Sequence, residues 1–573
     1  MNNLSLIEPY GGELKNLIRG EADTAERKKF AYRLPAITLN QRQLCDLELL
    51  LNGGFSPLEG FMNRDDYENV VQTMRLSDGT LWPIPIVLDI PERLLPVVRT
   101  HQQVGLYTTE GLLLAIVEVC DIWKPDKAVE AREVYGTTNT EHPGVAYLFN
   151  QTNEWYIGGR VIGFSLPEHY DFLDLRMTPM QLREHFQRQK WDNIIAFQTR
   201  NPMHRAHQEI TCRAMSQTGA KLLIHPVVGL TKPGDVDHCT RVKCYKQILT
   251  TYPERTAALS LLPLAMRMAG PREALWHAII RRNYGCNHFI VGRDHAGPGN
   301  DGGGKAFYNP YDAQEIVTRH QADIGINIMK PKEMVYVTDK KYYLPIDEVA
   351  NQSSIAKISG TVFRGMLQNG EEIPEWFSYP EVVRELRSIY PSKKEKGITI
   401  FFTGLSGAGK STIANHLYAH LVEIGGRPAT LLDGDIVRRY LSSELGFSKE
   451  HRDLNVMRVG FVASEITKNR GIAICALIAP YKDVRRQVRE LVGQYGDFIE
   501  VYVSTPLTVC EQRDRKGLYA QARAGKISGF TGIDDPYEEP KHPEIVIDTT
   551  NFTPEESSAK VITYLTEAGY IAA

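Results

Sequence analysis

No CxxC pair occurs anywhere in this chain. Its eight cysteines, Cys45, Cys120, Cys212, Cys239, Cys244, Cys286, Cys475 and Cys510, are scattered, which argues against both a zinc ribbon and a disulfide framework and leaves reduced, mostly buried thiols. No apolar span reaches the ~20 residues that a membrane helix needs. Met1-Asn2-Asn3-Leu4-Ser5-Leu6-Ile7-Glu8 lacks a basic region followed by a long apolar run, so a targeting peptide is not expected and the chain reads as cytoplasmic. Charge of one sign is also missing: 66 Lys and Arg against 69 Asp and Glu leave −3 over 573 residues, no general case for nucleic acid or an anionic membrane as a partner. Anionic substrates must be held by local clusters. Low-complexity segments and internal repeats are absent. What remains, 42% hydrophobic and 24% charged residues, is ordinary globular composition, and at ~150 residues per domain the length suggests three or four domains.

The most informative stretch is Gln198-Thr199-Arg200-Asn201-Pro202-Met203-His204-Arg205-Ala206-His207, which follows an apolar, strand-like run over 193–197 and opens a helix. It sets two histidines three apart on one face of that helix's first turn. Backbone N–H groups are unpaired there and the dipole is positive, so Arg200 and both imidazoles describe an anion site at a strand's carboxyl edge. Pro202 is expected at the first helical position. A metal pair or two ordinary surface histidines are the plainer readings. Zinc proteases space their histidines four apart around a glutamate, whereas Arg205 and Ala206 separate these, which favours a phosphate-handling turn. A second apolar run over 287–291 leads into Gly292-Arg293-Asp294-His295-Ala296-Gly297, which again presents cationic groups at a strand end. Two such turns can face one ligand.

The first stretch resembles the QTRNPxHRAH signature of ATP sulfurylases, and its HxxH element is similar to the HxGH of class I nucleotidyltransferases. Ile224-His225-Pro226-Val227-Val228-Gly229, Lys232-Pro233-Gly234-Asp235 and Met266-Arg267-Met268-Ala269-Gly270-Pro271-Arg272-Glu273 are similar to that family in sequence and order. So are Gly53-Gly54-Phe55-Ser56-Pro57-Leu58-Glu59-Gly60-Phe61-Met62 upstream and Ser359-Gly360-Thr361-Val362-Phe363-Arg364 downstream, although spacing alone reads the latter equally well as a helix cap. The resemblance spans residues 1–390. It implies a PUA-like, mostly-β start and adenylyl transfer, in which a sulfate oxygen attacks the α-phosphorus of MgATP and expels pyrophosphate. It places Thr199, Arg200 and Asn201 in the catalytic turn, Arg200 and Ala296 at sulfate, and His204 and His207 at the phosphates. Gln198, Gly292, Arg293, Asp294, His295 and Val335 fall at ATP. Sulfate is a weak nucleophile, so positioning and charge stabilisation must supply most of the acceleration.

Along the chain, residues 1–167 show short alternating runs, such as 82–88 and 112–119, and read as a mostly-β domain. From 168 to 330, strand-like runs at 193–197, 222–228 and 287–291 alternate with helical stretches such as 273–283, the pattern of a doubly wound parallel sheet. A small α/β segment over 331–393 ends in the lysine-rich linker Tyr390-Pro391-Ser392-Lys393-Lys394-Glu395-Lys396-Gly397, and residues 394–573 form a further α/β unit.

In that unit Ile398-Thr399-Ile400-Phe401-Phe402-Thr403 reads as a buried strand, Gly404-Leu405-Ser406-Gly407-Ala408-Gly409-Lys410-Ser411 as a P-loop, and residues 412–424 as its helix. Loop N–H groups wrap phosphates, Lys410 reaches the β- and γ-phosphates, and the Ser411 hydroxyl ligates Mg²⁺. Leu431-Leu432-Asp433-Gly434-Asp435 puts two carboxylates at the end of the next strand. In a later helix Leu454, Met457 and Phe461 form the apolar stripe read as core, with Arg452 and Asn455 off it. Ile478-Ala479-Pro480-Tyr481, Asp514-Arg515-Lys516-Gly517-Leu518-Tyr519 and Gly529-Phe530-Thr531-Gly532-Ile533-Asp534 complete a series that resembles adenylyl-sulfate (APS) kinases over 397–573.

That second resemblance implies a P-loop kinase fold, with ATP on Gly404, Ser406, Gly407, Ala408, Gly409, Lys410, Ser411, Thr412 and Lys516. APS is implied at Asp433, Arg438, Phe447, Arg452, Asn455, Ile478 and Phe530: the two arginines and Asn455 on its phosphosulfate, the two phenylalanines around its adenine. Core burial is the plainer reading of either phenylalanine. Asp435 is read as the base for the 3′-hydroxyl, with Asp433 the rival, and Ser411 and Asp435 as the Mg²⁺ site. Two residues depart from the family. Ala479 stands where many of these kinases have a serine proposed to carry a phosphoryl intermediate, which implies direct transfer here, and Ile436 replaces a common asparagine.

Together the resemblances imply sulfate activation: APS formation, then 3′-phosphorylation to 3′-phosphoadenylyl sulfate (PAPS), using Mg²⁺ with ATP and no tightly bound organic cofactor. The expected partners are ATP, sulfate, APS and further copies of the chain. Two alternatives stand beside it. In filamentous fungal sulfurylases the corresponding C-terminal domain resembles the kinase, has lost P-loop chemistry and binds the product as a regulator; the intact Gly404-to-Ser411 loop argues against that here. The other is a first site run in reverse to make ATP, on which sequence is silent.

Overall fold

The computed structural model describes residues 6–19, 28–514 and 516–572; Met1 to Ser5 of the N-terminal stretch and Arg515 of the 514–519 motif lie outside them. The chain divides into two units, one formed by Met1–Gly360 with Ile373–Ile389 and the other by Thr361–Glu372 with Tyr390–Ala573. The segment over 331–393 is therefore shared between the two.

The first unit opens on a six-stranded sheet of β1 (Ala36–Thr38), β2 (Gly60–Phe61), β3 (Leu88–Ile90), β4 (Gln103–Tyr107), β5 (Leu113–Trp123) and β6 (Trp155–Gly163). Its order is β1-β4-β5-β6-β2, with β3 also on β6. The apolar run over 82–88 is buried but pairs as a strand only from Leu88, because Pro83 and Pro85 have no N–H to give a ladder.

Next comes a five-stranded parallel sheet: β7 (Ile194–Phe197), β8 (Lys221–Ile224), β9 (Ala257–Leu259), β10 (His288–Ile290) and β11 (Asn327–Met329), in the order β11-β10-β7-β8-β9. Three connecting helices matter below: α1 (Arg205–Thr218), α2 (His238–Leu249) and α3 (Gly270–Asn283). Ile194, Ile195 and Ala196 are fully buried, as expected of a strand covered on both faces. Strand β8 ends at Ile224 ahead of Pro226, which lacks a donor, yet Val227 and Val228 still donate to the Thr199 and Leu262 carbonyls at 3.1 and 2.9 Å. The chain winds from β7 outward through β8 and β9, then returns to add β10 on the other side of β7. Loops leaving β7 and β10 therefore diverge at the carboxyl edge and leave a crevice, the place where open α/β sheets bind ligands. A three-stranded sheet of β12 (Met334–Val337), β13 (Tyr342–Pro345) and β14 (Ile355–Ala356) follows.

The second unit is built on a parallel sheet of β15 (Ile398–Thr403), β16 (Ala429–Asp433), β17 (Ile472–Ala476), β18 (Asp497–Val503) and β19 (Ile545–Ile547), ordered β16-β17-β15-β18-β19. All six residues of the central β15 are buried, each large apolar side chain contributing about 1.5–3 kcal/mol. Helices α4 (Lys410–Ile424), α5 (Gly434–Tyr440) and α6 (Lys449–Lys468) carry the site residues. Helix α6 overturns one expectation. Its core face is Val456, Val459 and Ala463 with Asn455 beside them, whereas Leu454 and Phe461 are 43% and 59% exposed. Two residues of the stripe assigned to the core thus face outward, while Met457 is half-buried against it.

Candidate active sites

In the first unit β7 delivers Gln198 and Thr199, both nearly buried, to the carboxyl edge. The turn is closed on itself: the Asn201 N–H donates to Thr199 Oγ1 at 3.1 Å, and the Thr199 hydroxyl donates to the Asn201 carbonyl at 2.9 Å. Helix α2 supports it from below, Arg241 donating to the Arg200 and Val227 carbonyls at 3.1 and 2.8 Å and Tyr245 to the Asn201 carbonyl at 2.8 Å. Arg241 and Tyr245, four apart on one helix face, carry no local sequence signal for this role, because their partners in the β7 turn, Arg200 and Asn201, lie 41 and 44 residues away.

Arg200 pairs with Asp235 at 2.5 Å, and its other terminal nitrogen donates to the Gly297 carbonyl at 3.3 Å. The second of these bonds joins the β7 turn to the β10 turn. Asp235 also accepts from the Lys232 N–H at 3.2 Å, and the Lys232 ammonium donates to the Pro298 carbonyl at 2.6 Å. The 232–235 loop thus clasps both turns.

Helix α1 starts at Arg205, with His204 as its N-cap and Pro202 outside it. Pro202 is thus not the first helical residue: the turn's own hydrogen bonds hold the chain non-helical up to His204. Nor is the helix end free. The His204 N–H donates to His207 Nδ1 at 3.1 Å, and the Arg205 N–H donates to the Phe377 carbonyl at 3.3 Å. His204 Nδ1 lies 2.9 Å from the Ser378 hydroxyl, its ring 4.8 Å from that of Phe377. Burial pushes the His204 and His207 pKa values down to about 3 and about 4, so both are neutral near pH 7. Because His207 Nδ1 is an acceptor, its Nε2 carries the proton.

The β10 turn takes left-handed backbone at Asp294 (φ 53°) and Ala296 (φ 54°). The Gly297 N–H closes it onto the Asp294 carbonyl at 3.1 Å. Arg293 is neutralised by Asp294 at 3.1 Å and Glu333 at 2.9 Å. Val335, two residues past Glu333, is buried in β12. His295 faces the buried His277 of α3, His295 Nε2 lying 3.1 Å from His277 Nδ1.

In the second unit Gly404, Gly407 and Gly409 adopt positive φ of 144°, 74° and 104°. A Cβ on Gly404 would stand 2.4 Å from the Val503 carbonyl oxygen, so no other residue fits this loop. Ser406, Ala408 and Thr412 complete the strand–loop–helix unit. The Lys410 ammonium folds back on the Gly404 and Leu405 carbonyls at 2.9 and 2.7 Å. Burial lowers its pKa to about 8. Ser411 donates to Asp433 at 2.6 Å, and Asp433 accepts from the Asp435 N–H at 3.0 Å. Asp435 instead forms an ion pair with Lys516. Of the two carboxylates, Asp433 is the one on the P-loop serine.

The remaining kinase-like residues ring the loops after β16 and β17. Arg438 donates to the Leu445 and Gly446 carbonyls at 3.1 and 3.0 Å and lies 4.4 Å from the Phe447 ring centroid. Phe447 is 68% exposed, which removes it from the core. Phe530 is half-buried, edge-on to Tyr519 at 5.0 Å. Arg452 donates to Asp535 and Thr531 at 2.6 and 2.8 Å, and Tyr481 donates to the same Asp535 at 2.9 Å. Asn455 is buried with its Oδ1 unpartnered. The Ile478 carbonyl accepts from the Thr403 hydroxyl at 2.7 Å, tying the β17 turn to the P-loop strand, and Ala479 next to it is buried.

Three family models match the chain: a PUA-like domain over residues 7–166, ATP-sulfurylase over 173–389 and adenylylsulphate kinase over 396–548. The chain is 52% identical over 546 residues to a sulfate adenylyltransferase of Gibberella zeae, covering 94% of this chain and 95% of the relative. It is 51% identical over 567 residues to a sulfate adenylyltransferase of Phaeosphaeria nodorum, covering 98% and 99%. Among solved structures, a hexameric APS kinase from Thiobacillus denitrificans matches with a TM-score of 0.81 at 40% identity, covering 99% of this chain and 100% of that chain.

Proposed function

The chain belongs to the ATP-sulfurylase family and carries an adenylylsulphate kinase domain, and from that premise we propose how its two sites divide bifunctional sulfate activation. Sulfate binds at Arg200 and the Ala296 backbone, and ATP lies along Gln198 and the 292–295 turn. A sulfate oxygen attacks the α-phosphorus as the bond to the β-phosphate oxygen breaks. His207, whose Nε2–H points away from its own helix cap, and His204 stabilise the departing pyrophosphate. The observation that carries this reading is the Arg200 bond to the Gly297 carbonyl, which holds both turns on one crevice.

In the kinase domain Lys410 exchanges its loop carbonyls for ATP phosphates. Mg²⁺, when bound with ATP, neutralises the β- and γ-phosphates; the Ser411 hydroxyl and Asp433 carboxylate are hard oxygen donors that fit it. That moves the metal role from Asp435 to Asp433 and leaves Asp435 to take the 3′-hydroxyl proton. The 3′-oxygen then attacks the γ-phosphorus in line and ADP leaves. Ala479 has no hydroxyl to accept a phosphoryl group, which favours that direct step. Arg438, Arg452 and Asn455 hold the phosphosulfate, and Phe447 and Phe530 the adenine. The intact P-loop favours catalysis over a purely regulatory domain.

The chain acts as a homo-oligomer in this reading, supported by its similarity to a hexameric APS kinase and by the exposed Leu454 and Phe461 of α6. None of its described helices is long and apolar enough to cross a membrane. Eight unpaired cysteines favour a reducing compartment, the cytoplasm. The test is conversion of sulfate and MgATP by the purified chain with pyrophosphatase present: wild type forms PAPS, Lys410→Ala stops at APS, and Arg200→Ala forms neither yet still phosphorylates supplied APS. Loss of both activities in either folded variant contradicts two independent sites.

A further inference from the structure

His207 and His295 belong to the same crevice, yet the groups behind them give them opposite hydrogen-bonding polarity. Behind His295 lies α3, which carries Glu273 and His277 one turn apart, both fully buried. Both Glu273 oxygens are occupied as acceptors, Oε1 by the Arg267 N–H at 3.0 Å and Oε2 by the Ala269 N–H at 2.8 Å. Burial pushes the Glu273 pKa up, and those two donors oppose it. His277 Nε2 stands 3.3 Å from Glu273 Oε1, too poorly aligned for a hydrogen bond, so the carboxylate acts on it through its charge.

Burial keeps His277 and His295 neutral, each with a single ring proton. The two rings meet at 3.1 Å, so one nitrogen there must donate and the other accept. A proton on His277 Nδ1 would leave the Nε2 lone pair against the Glu273 carboxylate. A proton on Nε2 turns that repulsion into attraction. The His277 Nδ1 is then the acceptor, and His295 must present Nε2–H to it.

We propose that Glu273 and His277 are positioning residues that fix the tautomer of His295, leaving its Nδ1 as a lone pair that accepts a hydrogen bond from the nucleoside of ATP. The inference rests on the reading of the 292–297 turn as the ATP side of the first site. Phosphate and sulfate oxygens only accept, so they cannot satisfy this nitrogen, whereas a ribose hydroxyl or the adenine amino group can. His207, held the other way by the His204 N–H, donates. The crevice thereby separates a phosphate end from a nucleoside end using two neutral histidines.

The test compares kcat/KM for ATP, 2′-deoxy-ATP, 3′-deoxy-ATP and the triphosphate lacking the 6-amino group, in sulfate-dependent pyrophosphate release by the full chain. One analogue is expected to lose about tenfold in the wild type, the cost of one hydrogen bond to a buried acceptor. His277→Asn, whose amide oxygen replaces Nδ1, keeps that discrimination; a folded His277→Phe loses it, because nothing then fixes the His295 proton. Equal use of all analogues by an enzyme active on ATP and sulfate would overturn the proposal, as would full discrimination in His277→Phe. Absence of any sulfate-dependent turnover in the wild type would instead overturn the functional reading.

Discussion

Asp235 Oδ1 lies 2.5 Å from Arg200 Nη1, with both side chains largely buried. The pair fixes the guanidinium proposed to meet sulfate, and it does so from a loop that also grips the β10 turn through Lys232. Asp235→Asn keeps the shape and removes the charge. The sulfate KM is expected to rise about tenfold or more, since charge-assisted hydrogen bonds contribute about 1.5–3 kcal/mol, while the ATP KM stays within about twofold. Initial rates of pyrophosphate release against sulfate decide it, and an unchanged sulfate KM would show that Asp235 does not orient Arg200.

In the proposed mechanism Lys410 must be charged to meet ATP phosphates, and burial has lowered its pKa to about 8. The sign follows directly: the ammonium is present below that value and lost above it. For APS phosphorylation, kcat/KM for ATP is expected to fall as pH rises through about 8, as this parameter reports groups of the free enzyme. A profile that stays level to pH ~10, near the ordinary lysine value, would contradict the assignment.

Phe447 is 68% exposed and stacked by Arg438, so it holds little of the fold. Phe447→Ala should leave thermal stability within about 0.5 kcal/mol. The KM for APS should rise about tenfold, matching the ~1–3 kcal/mol that stacking of a base on an aromatic side chain supplies. Calorimetry paired with APS titration separates the outcomes; a destabilised protein with normal APS affinity would return Phe447 to a structural role.

Three histidines of the first unit, His142, His204 and His207, have pKa values lowered by burial to about 4, 3 and 4. In the unfolded chain they titrate near ~6.5, so folding is favoured fully above that value and progressively less as pH falls toward ~4. The wholly buried His142 alone adds a slope of about 1.4 kcal/mol per pH unit in that window. Calorimetric midpoints between pH 7.5 and 5 should fall with acid, and more steeply in wild type than in His142→Gln. Equal slopes would contradict burial of a neutral His142.

Local chemistry was legible in the sequence where function is local. The turns after β7 and β10 and the P-loop each read directly from a strand run followed by glycine, arginine and histidine or lysine. The supports of those turns were not. Arg241, Tyr245, Asp235 and Ser378 reach the β7 turn and the helix cap after it through contacts 35 or more residues away in sequence, and no periodicity carries such pairing. Helix α6 shows a different limit. Leu454 and Phe461 share the seven-residue spacing of Val456 and Ala463, with Met457 between the two faces, so the pattern admits either face and only the sheet beneath selects one. Pro202 fits a first helical position by chemistry, but the Thr199–Asn201 hydrogen bonds delay the helix to Arg205.

In the proposed function the second unit is a working kinase fused to the sulfurylase. Purified chain given APS and MgATP, with no sulfate, tests it through ADP and PAPS formation. The expected result is stoichiometric ADP and PAPS, abolished by Lys410→Ala. Binding of PAPS without turnover, together with sigmoidal sulfurylase kinetics, would contradict it and make residues 397–573 a regulatory domain.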